Sequence, residues 1–246
     1  MADLEKLISL PQGSTGMRYH YPHWALSGAM RVVRMAVYYL VTYPATHLLS
    51  RPKISGRENL KDVWGPVLVI SNHVAYIDVG FVLAALPFRL RNRLAVAMEG
   101  ERVQSLRAPE GVGLLAGTVA RVSYWLMTVL FNVFPLPKAS GFRESFAFAG
   151  SATDRGYSVL VFPEGLRTRD GEIAPFRSGI GLLAKGLRLP VVPMRIDGLW
   201  DVKQAGWRGL APWGKIHVRI GAPARFSPND EADAIARKLE EIVREL

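Results

Sequence analysis

The segment SNHVAYIDVG, residues 71–80, places a histidine five positions before an aspartate and directly after an apolar run. Side chains five apart on a regular helix differ in direction by about 140°, so His73 can touch Asp78 only from a loop or a first turn. The spacing therefore predicts a corner between a strand and a helix. There Asp78 would orient one imidazole nitrogen, while the other takes a proton from a bound hydroxyl or amine. The alternative interpretation is a capping or solvated polar pair.

A second group of polar residues follows the apolar run of VLVFPEGLRTRDG, residues 159–171. A strand is predicted to end at Pro163, and Glu164, Gly165 and Arg167 come directly after it. Strand ends in α/β sheets commonly face the ligand crevice. The sequence therefore predicts that these residues lie beside His73 in one substrate site.

Three further cations are candidates for substrate binding. Arg177 precedes a small-residue turn in PFRSGIG, whereas Lys138 and Arg143 follow an apolar run in NVFPLPKASGFRES. A solvated surface position is the alternative for each of them, because arginine and lysine are mostly exposed in proteins.

The elements that must position these residues alternate along the chain. Strands are predicted at 65–71, 94–98, 157–163, 190–196 and 215–221. Helices are predicted at 78–86, 179–187 and 231–246. Residues 119–134 are predicted to form either a helix or a hydrophobic surface. This order predicts an α/β fold with a mixed, largely parallel sheet covered by helices. An N-terminal amphipathic helical membrane-binding motif completes the predicted fold class.

That N-terminal motif is predicted from residues 24–49, which are mostly apolar. Six Lys or Arg residues and no acid occur between Arg18 and Arg57. If Trp24–Tyr43 is one helix, a narrow polar stripe borders a wide apolar surface; the stripe contains Arg31, Arg34, Tyr38 and Thr42. The charge-free run at 35–49 is shorter than the roughly 20 residues that a bilayer span needs, so an interfacial helix is expected. The alternative is a helix packed on its own domain.

A change from apolar to polar residues at RPKISG, residues 51–56, predicts the one internal boundary. Residues 1–52 are expected to form N-terminal amphipathic membrane-associating helices, and residues 53–246 a catalytic domain. The first residues lack a basic segment followed by an apolar one, so a cytoplasmic start is expected.

Composition limits the classes of function. A formal net charge of +10 predicts an anionic partner, either nucleic acid or anionic phospholipid. The aromatic residues lie mostly within apolar runs, which disfavours nucleic acid. The chain has no cysteine, which excludes disulfides, thiolate metal sites and a cysteine nucleophile. The five histidines are scattered, so no metal is expected.

Other enzyme classes lack support in the sequence. GIGLLA, residues 179–184, fits a dinucleotide-binding pattern, but EIAPFRS before it does not predict a strand. Close helix packing explains those glycines better. The nucleophile elbow Gly-x-Ser-x-Gly is absent from the sequence. A non-catalytic basic membrane-binding module remains the alternative to an enzyme.

Several of these segments resemble the glycerolipid acyltransferase family. NHVAYID is similar to the family block Asn-His-x-x-x-x-Asp, and FPEGLR to the block Phe-Pro-Glu-Gly-x-Arg. PFRSG resembles the Phe-Lys-x-Gly element and LPVVPMRIDG a late Val-Pro strand. The resemblance covers residues 54–225 and is closest to the 1-acyl-sn-glycerol-3-phosphate acyltransferases.

The resemblance implies a reaction. An acyl thioester of coenzyme A or acyl-carrier protein would donate its chain to the free hydroxyl of a lysophospholipid, without a cofactor or an acyl-enzyme. The acceptor implied first is 1-acyl-sn-glycerol 3-phosphate, which would give phosphatidic acid. His73 would deprotonate the acceptor hydroxyl and Asp78 would orient His73, with Asn72 orienting the loop. Glu164 and Gly165 would shape the acceptor site.

The resemblance also implies a phosphate site and a location. Arg167 and nearby bases would hold the acceptor phosphate, and the enzyme would lie on the cytoplasmic face of the cell membrane as a peripheral or monotopic protein. Leu166 stands where the family commonly has threonine or serine, which would suit a different lipid acceptor.

Overall fold

A computed structural model describes residues 19–137, 142–206 and 215–246. Its centre is a seven-stranded sheet in the order β1-β7-β6-β2-β5-β3-β4. The strands are β1 (Lys53–Ser55), β2 (Leu68–Ser71), β3 (Leu94–Glu99), β4 (Val133–Leu136), β5 (Ser158–Val161), β6 (Val191–Asp197) and β7 (His217–Ile220). Neighbouring strands are parallel except for β6 and β7. The predicted α/β fold with a mixed, largely parallel sheet is confirmed.

Helices cover both faces of this sheet. They are α1 (Gly28–Val37), α2 (Tyr43–Leu49), α3 (Asp78–Ala85), α4 (Phe88–Arg91), α5 (Gly100–Arg107), α6 (Leu114–Phe131), α7 (Phe142–Asp154), α8 (Gly179–Leu187), α9 (Leu199–Gln204) and α10 (Ala232–Glu245). One hydrophobic layer contains Phe81 of α3 and Tyr124 of α6. The other contains Phe148, Leu183 and Leu239 from α7, α8 and α10.

Strand β2 occupies the middle of the sheet and pairs with β5 and β6 in parallel. All residues of β2 and β5 are buried, which accounts for their continuous apolar sequences, since a parallel sheet is covered on both faces. The carboxyl ends of β2, β3, β4 and β5 lie at one edge of the sheet. The segments that follow β2 and β5 therefore meet, as the sequence predicts.

Some predicted elements differ from the structure. The helix predicted at 119–134 ends at Phe131, because Asn132 adopts a left-handed conformation with φ of 53° and β4 begins at Val133. The apolar residues continue across this junction and hide it in the sequence. Strands β1 and β4 and helices α4, α5, α7 and α9 were not predicted. Five of these six elements have eight residues or fewer, too short for a clear periodic pattern.

The prediction of one helix over Trp24–Tyr43 is wrong. A 3₁₀ helix at His23–Leu26 precedes α1, and the Ser27 side chain caps α1 by accepting from the backbone N–H of Met30. A π-helical turn, Tyr38–Thr42, then joins α1 to α2.

The polar stripe of this N-terminal segment faces the protein. Arg34 and Tyr38 are buried, and Arg34 donates to the carbonyl of Ala25 at 2.6 Å and to the hydroxyl of Tyr157 at 3.3 Å. Burial lowers the pKa of the Arg34 guanidinium. Residues on the other side, among them Leu40 at 78% exposure, point their apolar side chains outward. The segment thus turns its polar side inward and its apolar side to the surroundings.

Candidate active site

His73 and Asp78 stand at the corner between β2 and α3. Strand β2 ends at Ser71 and α3 begins at Asp78, whose side chain is fully buried. The Oδ2 atom of Asp78 accepts from Nδ1 of His73 at 2.7 Å and from the backbone N–H groups of Val74 at 2.7 Å and Ala75 at 3.0 Å. One carboxylate oxygen therefore fixes both the loop and the imidazole.

This contact determines which nitrogen of His73 is available for chemistry. An ionised carboxylate only accepts hydrogen bonds, so Nδ1 of His73 carries the hydrogen and Nε2 keeps its lone pair. The His73 ring stacks on Phe162 with centroids 4.2 Å apart, and the residue lines the large cavity described below. The arrangement suits a general base with its orienting acid.

Asn72 fastens the loop to the neighbouring strand β6. Its side-chain oxygen accepts from the backbone N–H of Ile196 at 2.7 Å, and its nitrogen donates to the carbonyl of Ile196 at 2.9 Å. The amide side chain thus continues the strand pairing beyond the end of β2. This contact is consistent with a loop-orienting role for Asn72.

Glu164 lies beneath the His73 loop. Its side chain is 4% exposed, with Oε1 accepting from the backbone N–H of His73 at 2.7 Å and Oε2 from that of Ala174 at 2.8 Å. Glu164 does not line the cavity, whereas Gly165 does. In this structure Glu164 therefore supports the loop that carries His73 and is not part of the cavity wall.

The buried carboxylate of Glu164 gives a testable pH dependence. Burial raises the pKa of Glu164 from its ordinary value of 4.5 to about 7, although the two N–H donors oppose this shift. A raised folded-state pKa contributes stability at pH values below 4.5 that is lost as the pH rises through 7. The free energy of unfolding of the wild type, minus that of Glu164→Gln, should therefore fall by about 3 kcal/mol over this range. Urea unfolding of both proteins at several pH values measures it, and a constant difference would contradict the assignment.

The turn after β5 depends on Gly165. This residue has a φ of 72°, and a Cβ atom there would lie 2.7 Å from Nε of Arg177. The same Nε donates to the carbonyl of Glu164 at 3.3 Å. Arg177 therefore braces the turn and is not part of the cavity wall, and its place in the substrate site stays a prediction.

A cavity of about 540 Å³ opens beside His73. Part of its wall is apolar and comes from strands β3, β4 and β5 and helix α6; the side chains include Val96, Met98, Met127, Phe131, Val133, Leu136 and Val161. Another part is basic, with Arg102, Arg167, Arg169 and Lys203. The cavity therefore has an apolar surface and a basic surface, both close to His73.

Two of these cations meet on one aromatic ring. The guanidinium carbon of Arg167 lies 4.0 Å, and that of Arg102 5.2 Å, from the ring centroid of Tyr76. Cation–π contact at these distances holds both guanidinium groups at the cavity while leaving donors for a ligand. Sequence reasoning missed Arg102 and Tyr76. Because residues that follow a strand commonly face the ligand crevice, the end of β3 could have indicated Arg102 in α5.

Lys203 was also missed, because α9 was not predicted. Its Nζ donates to the carbonyls of Val74 and Thr168, both at 3.3 Å, and so joins the two loops around the site. The backbone N–H of Thr168 donates in turn to the carbonyl of His73 at 2.8 Å. The corner after β2 and the turn after β5 are thus bound to each other directly.

The remaining predicted cations do not enter this cavity. Arg143 is exposed on α7 and is absent from the cavity wall, so its role in substrate binding stays a prediction without support from this cavity. Lys138 lies outside the described residues. Across the parts of the chain that the structure describes, no group of three or more potential metal-ligating side chains comes together.

One of the two glycines of GIGLLA has a packing role. Both glycines lie in α8, and no strand directly precedes this helix. A Cβ atom at Gly181 would collide with the backbone of Ala232 at the start of α10. Close helix packing, not dinucleotide binding, accounts for the pattern.

A protein-family model and several curated proteins match this chain. A model of the Acyltransferase family matches residues 51–197. The chain is 27% identical over 179 residues to a chloroplastic 1-acyl-sn-glycerol-3-phosphate acyltransferase of Brassica napus, covering 72% of this chain and 46% of that protein. It is 44% identical over 146 residues to a 1-acyl-sn-glycerol-3-phosphate acyltransferase of Limnanthes alba, covering 59% and 45%. The chain thus spans about half the length of these curated relatives.

A solved structure shares the fold. The crystal structure of the 1-acyl-sn-glycerophosphate acyltransferase PlsC from Thermotoga maritima matches with a TM-score of 0.59 and 19% identity. The match covers 99% of this chain and 85% of that chain.

Proposed function

Since the chain belongs to the Acyltransferase family, we propose that it transfers an acyl chain from an acyl thioester to the free hydroxyl of a lysophospholipid, in first place 1-acyl-sn-glycerol 3-phosphate. The observation that carries this proposal is the His73–Asp78 pair beside a cavity with one apolar and one basic wall. Thiol release that depends on the acceptor tests it.

The geometry supports a direct transfer. Nε2 of His73 takes the proton of the acceptor hydroxyl as its oxygen attacks the thioester carbonyl, and Asp78 stabilises the imidazolium that forms. The new bond is the ester C–O bond and the broken bond is C–S. The proton then passes from His73 to the departing thiolate of coenzyme A or acyl-carrier protein. No cofactor takes part in this scheme.

We place the acceptor phosphate between Arg102 and Arg167. Both guanidinium groups line the cavity, and Nε of Arg102 is buried without a hydrogen-bond partner among the described residues. Planar guanidinium groups suit the bidentate binding of phosphate. Arg102 would thus be one of the basic residues near Arg167 that the family resemblance implies for the acceptor phosphate.

Substitution of either arginine should separate binding from chemistry. Arg102→Gln and Arg167→Gln are each expected to raise KM for lysophosphatidic acid by about 10- to 100-fold, the loss of one charge-assisted hydrogen bond. The value of kcat should change less, because neither group acts on the reacting atoms. Arg155→Gln, at an exposed position beyond α7, is the matched control. An unchanged KM in both cavity variants would rule out this phosphate site.

A different lipid acceptor is the second candidate. Leu166 lines the cavity where relatives of this family commonly offer a hydroxyl, and it is half-exposed to the ligand space. An apolar side chain there favours an acceptor with fewer hydrogen-bonding groups near this wall. Comparison of lysophosphatidic acid with other lysolipids as acceptors decides between the two.

We propose further that the enzyme works on the cytoplasmic face of the cell membrane as a peripheral or monotopic protein. The outward apolar residues of the N-terminal segment support this location, as do Tyr39 and Tyr43, which are exposed on the same segment. Aromatic residues of this kind are enriched at membrane interfaces. The division into a membrane-associating part at 1–52 and a catalytic part at 53–246 remains a prediction.

A further inference from the structure

Helix α6 has more apolar surface than the protein buries. It runs for 18 residues, contains one charged residue, Arg121, and is long and apolar enough to cross a membrane by length and composition. Only 22% of it is buried in the protein, whereas the core helix of a soluble protein is mostly buried. Six of its large apolar side chains are exposed on the described part of the chain.

The buried and exposed residues of α6 form two separate faces. Gly117, Ala120, Tyr124 and Thr128 are buried at spacings of three and four, so this face packs on the domain. The outward face carries large apolar side chains, namely Leu114, Leu115, Val119, Val122, Trp125 and Leu126. Leu114 and Leu115 are 86% and 81% exposed.

This outward face adjoins the N-terminal segment. Helix α1 packs against α6, the rings of Trp24 and Trp125 lie 5.1 Å apart, and Arg34 donates to the carbonyl of Val129 at 3.5 Å. The exposed apolar residues of the two elements therefore belong to one continuous surface. Single exposed apolar residues are normal on soluble proteins, whereas contiguous ones mark an interaction site.

The composition of this surface identifies its partner. Neither residues 18–57 nor residues 114–131 contain an acid, while Arg31 and Arg121 add positive charge. Basic residues and interfacial Trp and Tyr beside a wide apolar face match the chemistry of anionic phospholipid bilayers. We propose that the outward face of α6 inserts into the lipid bilayer as a second membrane contact beside the N-terminal helices. This inference rests on the proposed membrane location of the enzyme.

The same helix connects the bilayer to the active site. Met127 and Phe131 of α6 line the cavity that contains His73. A helix of this length extends about 27 Å, so one end contacts lipid while the other forms the apolar wall of the cavity. A lipid acceptor could then present its hydroxyl to His73 while its chain stays in the apolar phase. Insertion of α6 would thus place the cavity at the depth of the substrate chains.

Vesicle binding of the full-length protein tests the inference without any need for catalysis. In vesicles of phosphatidylglycerol and phosphatidylcholine, Leu114→Gln/Leu115→Gln should lower the partition coefficient by at least about tenfold, because two leucines no longer enter the apolar phase. Glutamine keeps the net charge and the helix propensity. The matched control is Leu182→Gln on α8, in the opposite layer of the fold, which should bind as the wild type does. Trp125→Phe should also reduce quenching of protein fluorescence by brominated lipids.

The outcomes separate this inference from the proposed reaction. Both leucines are more than four-fifths exposed, so the unfolding curve of Leu114→Gln/Leu115→Gln should match that of the wild type. If the two curves differ, Val122→Gln is used in the binding experiment instead of the double variant. Wild-type binding by the folded variant would overturn the inference, even if acyl transfer is found. A shift from dimer to monomer with unchanged lipid binding would also overturn it, because a second copy would then cover this face. Reduced binding supports it even if no thiol is released.

Discussion

Replacing His73 with alanine is expected to lower the rate of acyl transfer by about 10²- to 10⁴-fold, the usual contribution of a general base. The structure gives the reason. Nδ1 of His73 is held by Asp78, and the ring lines the cavity, so Nε2 is positioned to take a proton from an acceptor. Alanine removes this nitrogen and leaves the backbone contact to Glu164 in place.

The control for this variant is His217→Ala. His217 lies in β7 and contacts Ser55 of β1, near the other edge of the sheet. This variant should keep wild-type activity. Turnover and thermal unfolding of both variants are measured together, so that loss of the base can be told from loss of the fold. A His73→Ala protein that is folded and retains more than a tenth of the activity would rule out His73 as the base.

The second large effect is expected for Asp78→Asn, with kcat lowered by about 10²-fold or more and KM little changed. Asp78 is fully buried and does not line the cavity, so it acts on the substrate only through His73. An amide at this position has one acceptor oxygen and no charge to stabilise the imidazolium. The loss should therefore appear in the chemical step.

The variant also tests the loop. Asp78 accepts from the backbone of Val74 and Ala75, so its loss should lower the free energy of unfolding as well. Asp197→Asn, which removes the acid of a partly exposed ion pair with Arg195, serves as the comparison. A rise in KM at constant kcat would contradict the orienting role, because it would mean that Asp78 contributes only to ground-state binding.

Much of this site can be predicted from the sequence because two local rules agree. A pair spaced five apart needs a corner, and two apolar strands that end in polar residues need a common sheet edge. Both rules place His73, Asp78 and Glu164 within one group of contacts, as observed. The direction of the Glu164 side chain could not be predicted, because it depends on backbone N–H groups that only the folded loops bring together.

The cations were harder to assign for a physical reason. Arg102 and Arg177 each stand near a strand end, yet one enters the cavity and the other braces a turn. The difference depends on whether an aromatic ring such as Tyr76 or a backbone carbonyl lies within reach, which no local pattern reveals. The same holds for Lys203, whose partners come from two distant loops.

The N-terminal segment shows the limit of helical periodicity. The polar spacing of Arg34 and Tyr38 was interpreted as one side of an interfacial helix, but the structure buries both. Periodicity separates two faces of a helix without showing which of them meets the domain. A tertiary contact, the hydrogen bond of Arg34 to Ala25 and Tyr157, decides this.

The most direct test of the account is thiol release from palmitoyl-coenzyme A on anionic vesicles, with and without lysophosphatidic acid, together with quantification of phosphatidic acid. Direct transfer with His73 as the base predicts release by the wild type only when the acceptor is present, with one thiol for each phosphatidic acid formed and very little release by His73→Ala. Equal release without the acceptor would indicate hydrolysis and contradict direct transfer. A third outcome is a protein that releases no thiol with any lysolipid or with acyl-carrier-protein donors, yet still binds vesicles. That result would contradict the proposed acyl transfer and favour a membrane-binding module.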